Sequence, residues 1–206
     1  MTASDGAAIL AAMYPVSPLL PDPDLEELGD RFVRALERYA KRLRPGEFLS
    51  LVDSPTESVF RNVRMSVACD SAGLWIADEA RENLVFAITD PDDERIIGRE
   101  QPLSEGFISL VFASEQPICV NRVAEDERHS KRIDSAVGEK TEAMVAVPFY
   151  LGGRLCGVLS AVRWEGGCSS GKPFGQEDLR SMRRASVVLE RLANFALAKS
   201  VLGIEL

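Results

Sequence analysis

Four cysteines, one histidine and a scatter of acids are the groups in this sequence that could carry bond chemistry. The cysteines stand at 69, 119, 156 and 168, and no two have the two-to-four residue separation of a zinc knuckle or a redox dithiol. Cys119 and Cys156 lie in apolar, strand-like runs where cysteine behaves as a small hydrophobe. Cys168, in a Gly/Ser stretch, is the one expected at the surface, and neither a metal site nor a disulfide is expected. A Ser-His-acid triad would have to use His129, the single histidine, and no serine stands in a nucleophile elbow. Gly166-Gly167-Cys168-Ser169-Ser170-Gly171-Lys172 has the glycines and lysine of a phosphate loop without its spacing. A flexible connector is the simpler reading, and no catalytic residue is expected.

Composition narrows the classes further. The 206 residues, 46% hydrophobic and 27% charged, suit a folded soluble chain with a sizeable core. A formal charge of −8 argues against a nucleic-acid partner, because phosphate binding needs clustered cations. Arg31, Arg34 and Arg38 alternate with Glu26, Glu27 and Glu37, as on a solvated helix face. Apolar stretches break well before the roughly 18–20 residues of a membrane span, and Met1 is followed by no basic, signal-like start. No membrane association is expected, and the cytoplasm is the expected compartment.

The elements that must position these groups follow from periodicity. Residues 1–23, with four prolines, read as a flexible leader. Asp22-Pro23-Asp24 opens a helix, whose apolar stripe is Leu25, Leu28, Phe32, Leu36, Tyr39 and Leu43. Arg44-Pro45-Gly46 stops it, and a second helix runs from about Ser54-Pro55 to Cys69. Leu74–Ile76 and Leu84–Ile88 then read as strands. Gln101 to Gly106 leads into a short helix from Phe107 to Ala113, followed by the brief strand Ile118–Val120. A polar segment, 124–140, holds a short mobile helix around 130–137. Ala143–Tyr150 and Leu155–Val162 flank Gly152-Gly153, a pair suited to the positive φ angles of a tight hairpin. Both strands are apolar on both faces, which places them centrally in a sheet covered on two sides. Pro148 lacks a ladder donor and predicts a bulge or gap there. A final helix spans about 175–201. Met182, Leu189 and Ala196 form one stripe, while Val188, Phe195 and Leu202 form another that asks for a second surface. A helix of the same chain or a partner subunit would supply it, and a homodimeric bundle is the favoured reading.

From Leu74 onward this order resembles the GAF family. The marks are Pro102-Leu103-Ser104-Glu105-Gly106-Phe107, Ser114-Glu115-Gln116-Pro117-Ile118-Cys119-Val120, Val145-Ala146-Val147-Pro148, Leu155-Cys156-Gly157-Val158-Leu159 and Phe174-Gly175-Gln176-Glu177-Asp178-Leu179. The resemblance implies an α+β fold with a central antiparallel sheet of about six strands. The terminal helices would lie on one face, and a ligand pocket under short helices and loops on the other. It divides a single domain over 24–206 into N-terminal helices (24–70), sheet and pocket (71–164) and a long C-terminal helix (174–202). Gly106–Ala113 and 124–140 would roof the pocket.

Each chemistry known in the family requires particular residues. A methionine-sulfoxide-reducing member needs thiols after Glu105-Gly106 and just before Asp134, and those places hold Ile108 and Ile133. Asp134 and Glu142 remain as acids with no thiol to assist. Segment 124–140 contains no cysteine for a covalent bilin. Arg163-Trp164 stands where cyclic-nucleotide binders carry Asn-Lys, although Phe174 and Glu177-Asp178 match in part.

The resemblance leaves a ligand site built around Trp75, Phe107, Val111 and Ile133, with Arg128, His129 and Thr141 as polar groups. Arg128 would pair with a carboxylate or phosphate, and His129 would touch the ligand. The blander alternative keeps Phe107 and Val111 as core, Arg128 paired with Asp126 or Glu127 in solvent, and His129 at the surface. The implied function is a non-catalytic sensory domain that binds an unidentified small molecule and signals through a homodimeric helix bundle to a partner protein. The competing expectation is a ligand-free interaction or dimerisation scaffold. The cofactor, if any, is unknown from the sequence.

Overall fold

The computed structural model describes residues 23–51 and 54–202. Its helices are α1 (Pro23–Arg42), α2 (Pro45–Leu51), α3 (Ser54–Ser66), α4 (Gly106–Ser114), α5 (Arg132–Val137) and α6 (Gln176–Leu202). Its strands are β1 (Ser71–Ala77), β2 (Asn83–Asp90), β3 (Glu100–Pro102), β4 (Ile118–Val120), β5 (Thr141–Leu151) and β6 (Arg154–Trp164). A single 3₁₀ turn, Val123–Glu125, separates β4 from α5. The leader expected over 1–23 falls, up to residue 22, outside the described residues. No helix among the described residues is long and apolar enough to cross a membrane.

All six strands join one antiparallel sheet in the order β3-β2-β1-β6-β5-β4. The long hairpin β5–β6 turns at Gly152 and Gly153, whose φ angles of 57° and 73° fit a two-residue turn that other residues resist. Alternation along each strand serves two cores. Leu74 and Ile76 of β1, Val145, Val147 and Phe149 of β5, and Leu159 and Ala161 of β6 face the helices α3 and α6. Trp75 and Ala77 of β1, Met144 and Ala146 of β5, and Val158 of β6 face α4 and the segment after β4. Two covered faces explain why β5 and β6 read as apolar throughout. The fold is therefore α+β, with terminal helices on one face of a six-stranded sheet and short helices and loops on the other.

Contacts divide the chain inside α1, between Arg34 and Ala35. In the first unit, α1 exposes Leu28 and Val33 and pairs Arg34 with Asp30 at 3.6 Å. In the second, Leu36, Ala40 and Leu43 pack on the helical-face core. There Phe48 meets Phe149 edge to face at 5.8 Å. Side chains of α6 grip the hairpin: Glu190 accepts the Tyr150 amide at 3.1 Å, and Asn194 accepts the Gly152 amide at 2.7 Å.

The structure departs from the sequence reading at four places. The first helix stops at Arg42, just before Arg44-Pro45-Gly46 as expected, but Pro45 also opens α2, since proline fits a first helical turn as well as it breaks an interior. Three-residue β3, too short to show alternation, pairs with β2. The register shift in β5 falls between Phe149 and Tyr150, one residue beyond Pro148. Cys119 is exposed rather than buried, because β4 is an edge strand.

Candidate functional site

The non-helical face of the sheet is roofed by α4, α5 and the chain between them, and local chemistry sets that roof. Gly106 begins α4 at φ +85°, and a Cβ there would lie 3.1 Å from Ser130 and 3.2 Å from Gln101. Gln101 donates to the Glu105 carbonyl at 2.9 Å, and Ser109 donates to the Pro102 carbonyl at 2.8 Å. These two bonds pin the start of α4 to β3. An Arg132–Glu105 ion pair then joins α5 to the same turn.

The second pin is Asp134. Its carboxylate lies 2.9 Å from His129 Nε2, and it accepts the Thr141 amide at 3.0 Å and the Thr141 hydroxyl at 2.6 Å. Burial pushes the Asp134 carboxyl up, but the bonds from His129 and Thr141 outweigh it and hold the group below the ordinary aspartate value. The His129 side chain, only 6% exposed, stacks beside Phe107 with ring centroids 6.4 Å apart.

Between roof and sheet lies a cavity of about 60 Å³. Its aromatic walls are Trp75, Phe86, Phe107 and Trp164. Trp75 leans on Phe86 at 4.2 Å and donates its indole N–H to Ser160 Oγ at 3.1 Å. Ser160 in turn donates to the Gly73 carbonyl at 3.3 Å, so the floor's polar groups satisfy one another. The roof contributes Ser130, whose buried hydroxyl oxygen has no hydrogen-bond partner.

Five of the seven residues expected at a ligand site line this cavity: Trp75, Phe107, His129, Ile133 and Thr141. Val111, on α4, is fully buried in the core between that helix and the sheet. Arg128 lies outside, over the Phe107 ring at 5.3 Å, with its side chain 64% exposed and paired with Asp126 at 2.7 Å. Hydrogen bonds from that guanidinium hold the Asp126 carboxyl down at about 2. Gln101, Ser130, Met144 and Ser160 also line the cavity and were not expected. Only the Gly-led start of α4 hinted at Gln101.

The match to known proteins follows this geometry. The family model described as GAF domain matches residues 54–191. The chain belongs to the GAF family. No curated protein sequence matches it. Among solved structures, the GAF domain from a phosphoenolpyruvate-protein phosphotransferase of Coxiella burnetii is 19% identical with a TM-score of 0.57, covering 85% of this chain and 96% of that one. The free methionine-R-sulfoxide reductase of Neisseria meningitidis, in complex with its substrate, is 18% identical at TM-score 0.54, covering 78% and 91%. The GAF domain of a two-component sensor histidine kinase from Bacillus halodurans is 16% identical at TM-score 0.53, covering 72% and 95%. At such identities the likeness is one of fold.

Within this GAF domain no cysteine lines the cavity. Ile108 and Ile133, which stand where the reductase thiols would be, both do. Cys69 is buried in the helical-face core, where burial pushes its thiol up to about 12 against the opposing charges of Arg163 and Arg64. Cys156 packs against the same core and is pushed up to about 11, also by burial. Arg163, the residue in place of the nucleotide binders' Asn, is buried on the opposite side. It lies 3.8 Å over the Phe174 ring and donates to the carbonyls of Val67, Ala68 and Lys172. There it ties β6 to the end of α3 and the start of α6. Among the described residues no group of three or more His, Cys, Asp and Glu is gathered as a metal site needs.

Proposed function

We propose that this GAF domain is a non-catalytic, cytoplasmic sensor that binds a small molecule in the roofed cavity and signals through a homodimeric helix bundle. The carrying observation is the roofed aromatic cavity whose roof is latched by His129, Asp134 and Thr141. An apolar wall with a few convergent polar groups is the usual make-up of a small-ligand site. The absence of any thiol from the lining favours binding over reduction, since a thiolate must attack the sulfoxide sulfur. Sensor histidine kinases carry GAF domains of this fold, as in Bacillus halodurans.

A contiguous route supports transmission. The Tyr150 hydroxyl donates to Glu115 at the end of α4 at 2.7 Å, and the Tyr150 amide is held by Glu190 of α6. Motion of α4 on ligand binding therefore reaches α6 through one residue. On α6, Val188, Phe195 and Leu202 recur every seven residues and are 42%, 62% and 57% exposed, as a dimer seam requires. A ligand that orders the roof shifts the dimer toward one arrangement of these helices, and a separate partner protein reads it. The small size of the cavity favours a second reading, a scaffold whose pocket its own side chains fill.

A thermal-shift screen against nucleotides, amino acids, amines, organic acids and tetrapyrroles separates the two. A concentration-dependent rise in Tm supports the sensor, because a ligand that binds only the folded state stabilises it. No shift with any compound, together with a tight dimer by sedimentation, replaces the sensor with the scaffold.

A further inference from the structure

We propose that the cavity takes a small protonated amine, its ammonium between the Asp134 carboxylate and the Ser130 hydroxyl and its carbon skeleton against the aromatic wall. This rests on the sensory reading and names the ligand class of that site.

Charge comes first. His129 and Asp134 are the ionisable side chains that line the cavity, and they face each other at 2.9 Å. Arg128, next in the chain, is turned outward and held by Asp126. An anionic ligand would thus be desolvated beside a carboxylate with no lysine or arginine to receive it. A cation meets the reverse situation at the same carboxylate.

Unused hydrogen-bonding capacity points the same way. A carboxylate accepts at roughly four lone-pair sites. The protein fills three at Asp134, two on Oδ2 by His129 and the Thr141 amide and one on Oδ1 by the Thr141 hydroxyl. One site on Oδ1 is left. Ser130 Oγ is buried and unpartnered, an oxygen able to accept. A ligand N–H can donate to the Ser130 oxygen as well as to the Asp134 carboxylate, and the carboxylate's charge favours a cationic donor over a neutral one. An ammonium supplies both the donors and the charge, and an alcohol supplies a donor without the charge. Aromatic faces such as Trp75 and Phe107 also attract a cation that comes within about 6 Å of the ring.

The test uses one carbon skeleton in three charge states. Isoamylamine, isoamyl alcohol and isovalerate are titrated into the full chain by calorimetry at about pH 8, above the ordinary histidine range. The amine is expected to bind at least roughly tenfold more tightly than the alcohol, as a charge-assisted bond implies, and isovalerate not at all. Asp134→Asn removes the preference for amine over alcohol. Ser130→Ala, a change at a hydroxyl that holds nothing in the fold, weakens the amine.

Equal binding of amine and alcohol, or preference for isovalerate, overturns the amine assignment. So does silence from all three while another compound raises Tm in the screen, and the sensor then stands with a different ligand class. Silence from every compound fails the sensor itself.

Discussion

His129 Nε2 lies 2.9 Å from Asp134 Oδ2, and the same carboxylate holds both the amide and the hydroxyl of Thr141. One acid thereby fastens the chain before α5 to the first residue of β5 and closes the cavity beneath. The bonds favour the charged form, so the folded-state pKa lies below the unfolded value of about 3.9. The stability this gives is fully present above the unfolded value and is lost as pH falls through the lower folded one. Asp134→Asn should cost about 1–3 kcal/mol at neutral pH. Urea melts of both proteins should converge as pH drops below about 4. A gap that stays constant down to the acid limit would contradict this role.

Gly106→Ala should destabilise by about 1–3 kcal/mol, since φ +85° disfavours a Cβ and the added atom meets Ser130 and Gln101. The same change should loosen the roof, read as faster amide exchange across α4 and the Gln101–Glu105 turn. A stability loss with unchanged exchange there would detach Gly106 from the roof.

Ser130→Ala should leave the ligand-free protein unchanged or up to about 1 kcal/mol more stable, because a buried hydroxyl without a partner costs desolvation for no bond. Chemical denaturation decides it. A clear loss of stability would mean that the hydroxyl has a structural partner.

Phe195→Glu tests the seam on α6. Phe195 is 62% exposed, so the single chain should lose no more than about 0.5 kcal/mol. The dimer, read by analytical ultracentrifugation, should dissociate. An unchanged sedimentation coefficient would move the interface elsewhere.

Much of the fold was legible because it rests on local pattern. The apolar runs on either side of Gly152-Gly153 announced the central hairpin, and the period-seven stripes of α6 announced its buried and open faces. Elements shorter than one period were not legible: β3 has three residues, and α2 begins at a Pro45 that equally ends a helix. The cavity lining was legible where the family's order carried it, as at Phe107 and Ile133. It was hidden where partners meet from afar. Trp75 and Ser160 bond across 85 positions, and Asp134 reaches past the end of its own helix to Thr141 with no periodic pattern to mark the pair. Arg128 shows the opposite limit: Asp126, two residues earlier, folds back and holds it outside.

The central claim is that a small molecule stabilises this domain from inside the roofed cavity. Its most direct measurement is Tm against concentration of the best compound from the screen, for the natural chain and for Ile133→Trp, which fills the cavity. The expected result is a Tm that climbs with the logarithm of concentration in the first and stays flat in the second. Equal climbs in both would place the ligand outside the cavity and contradict the account.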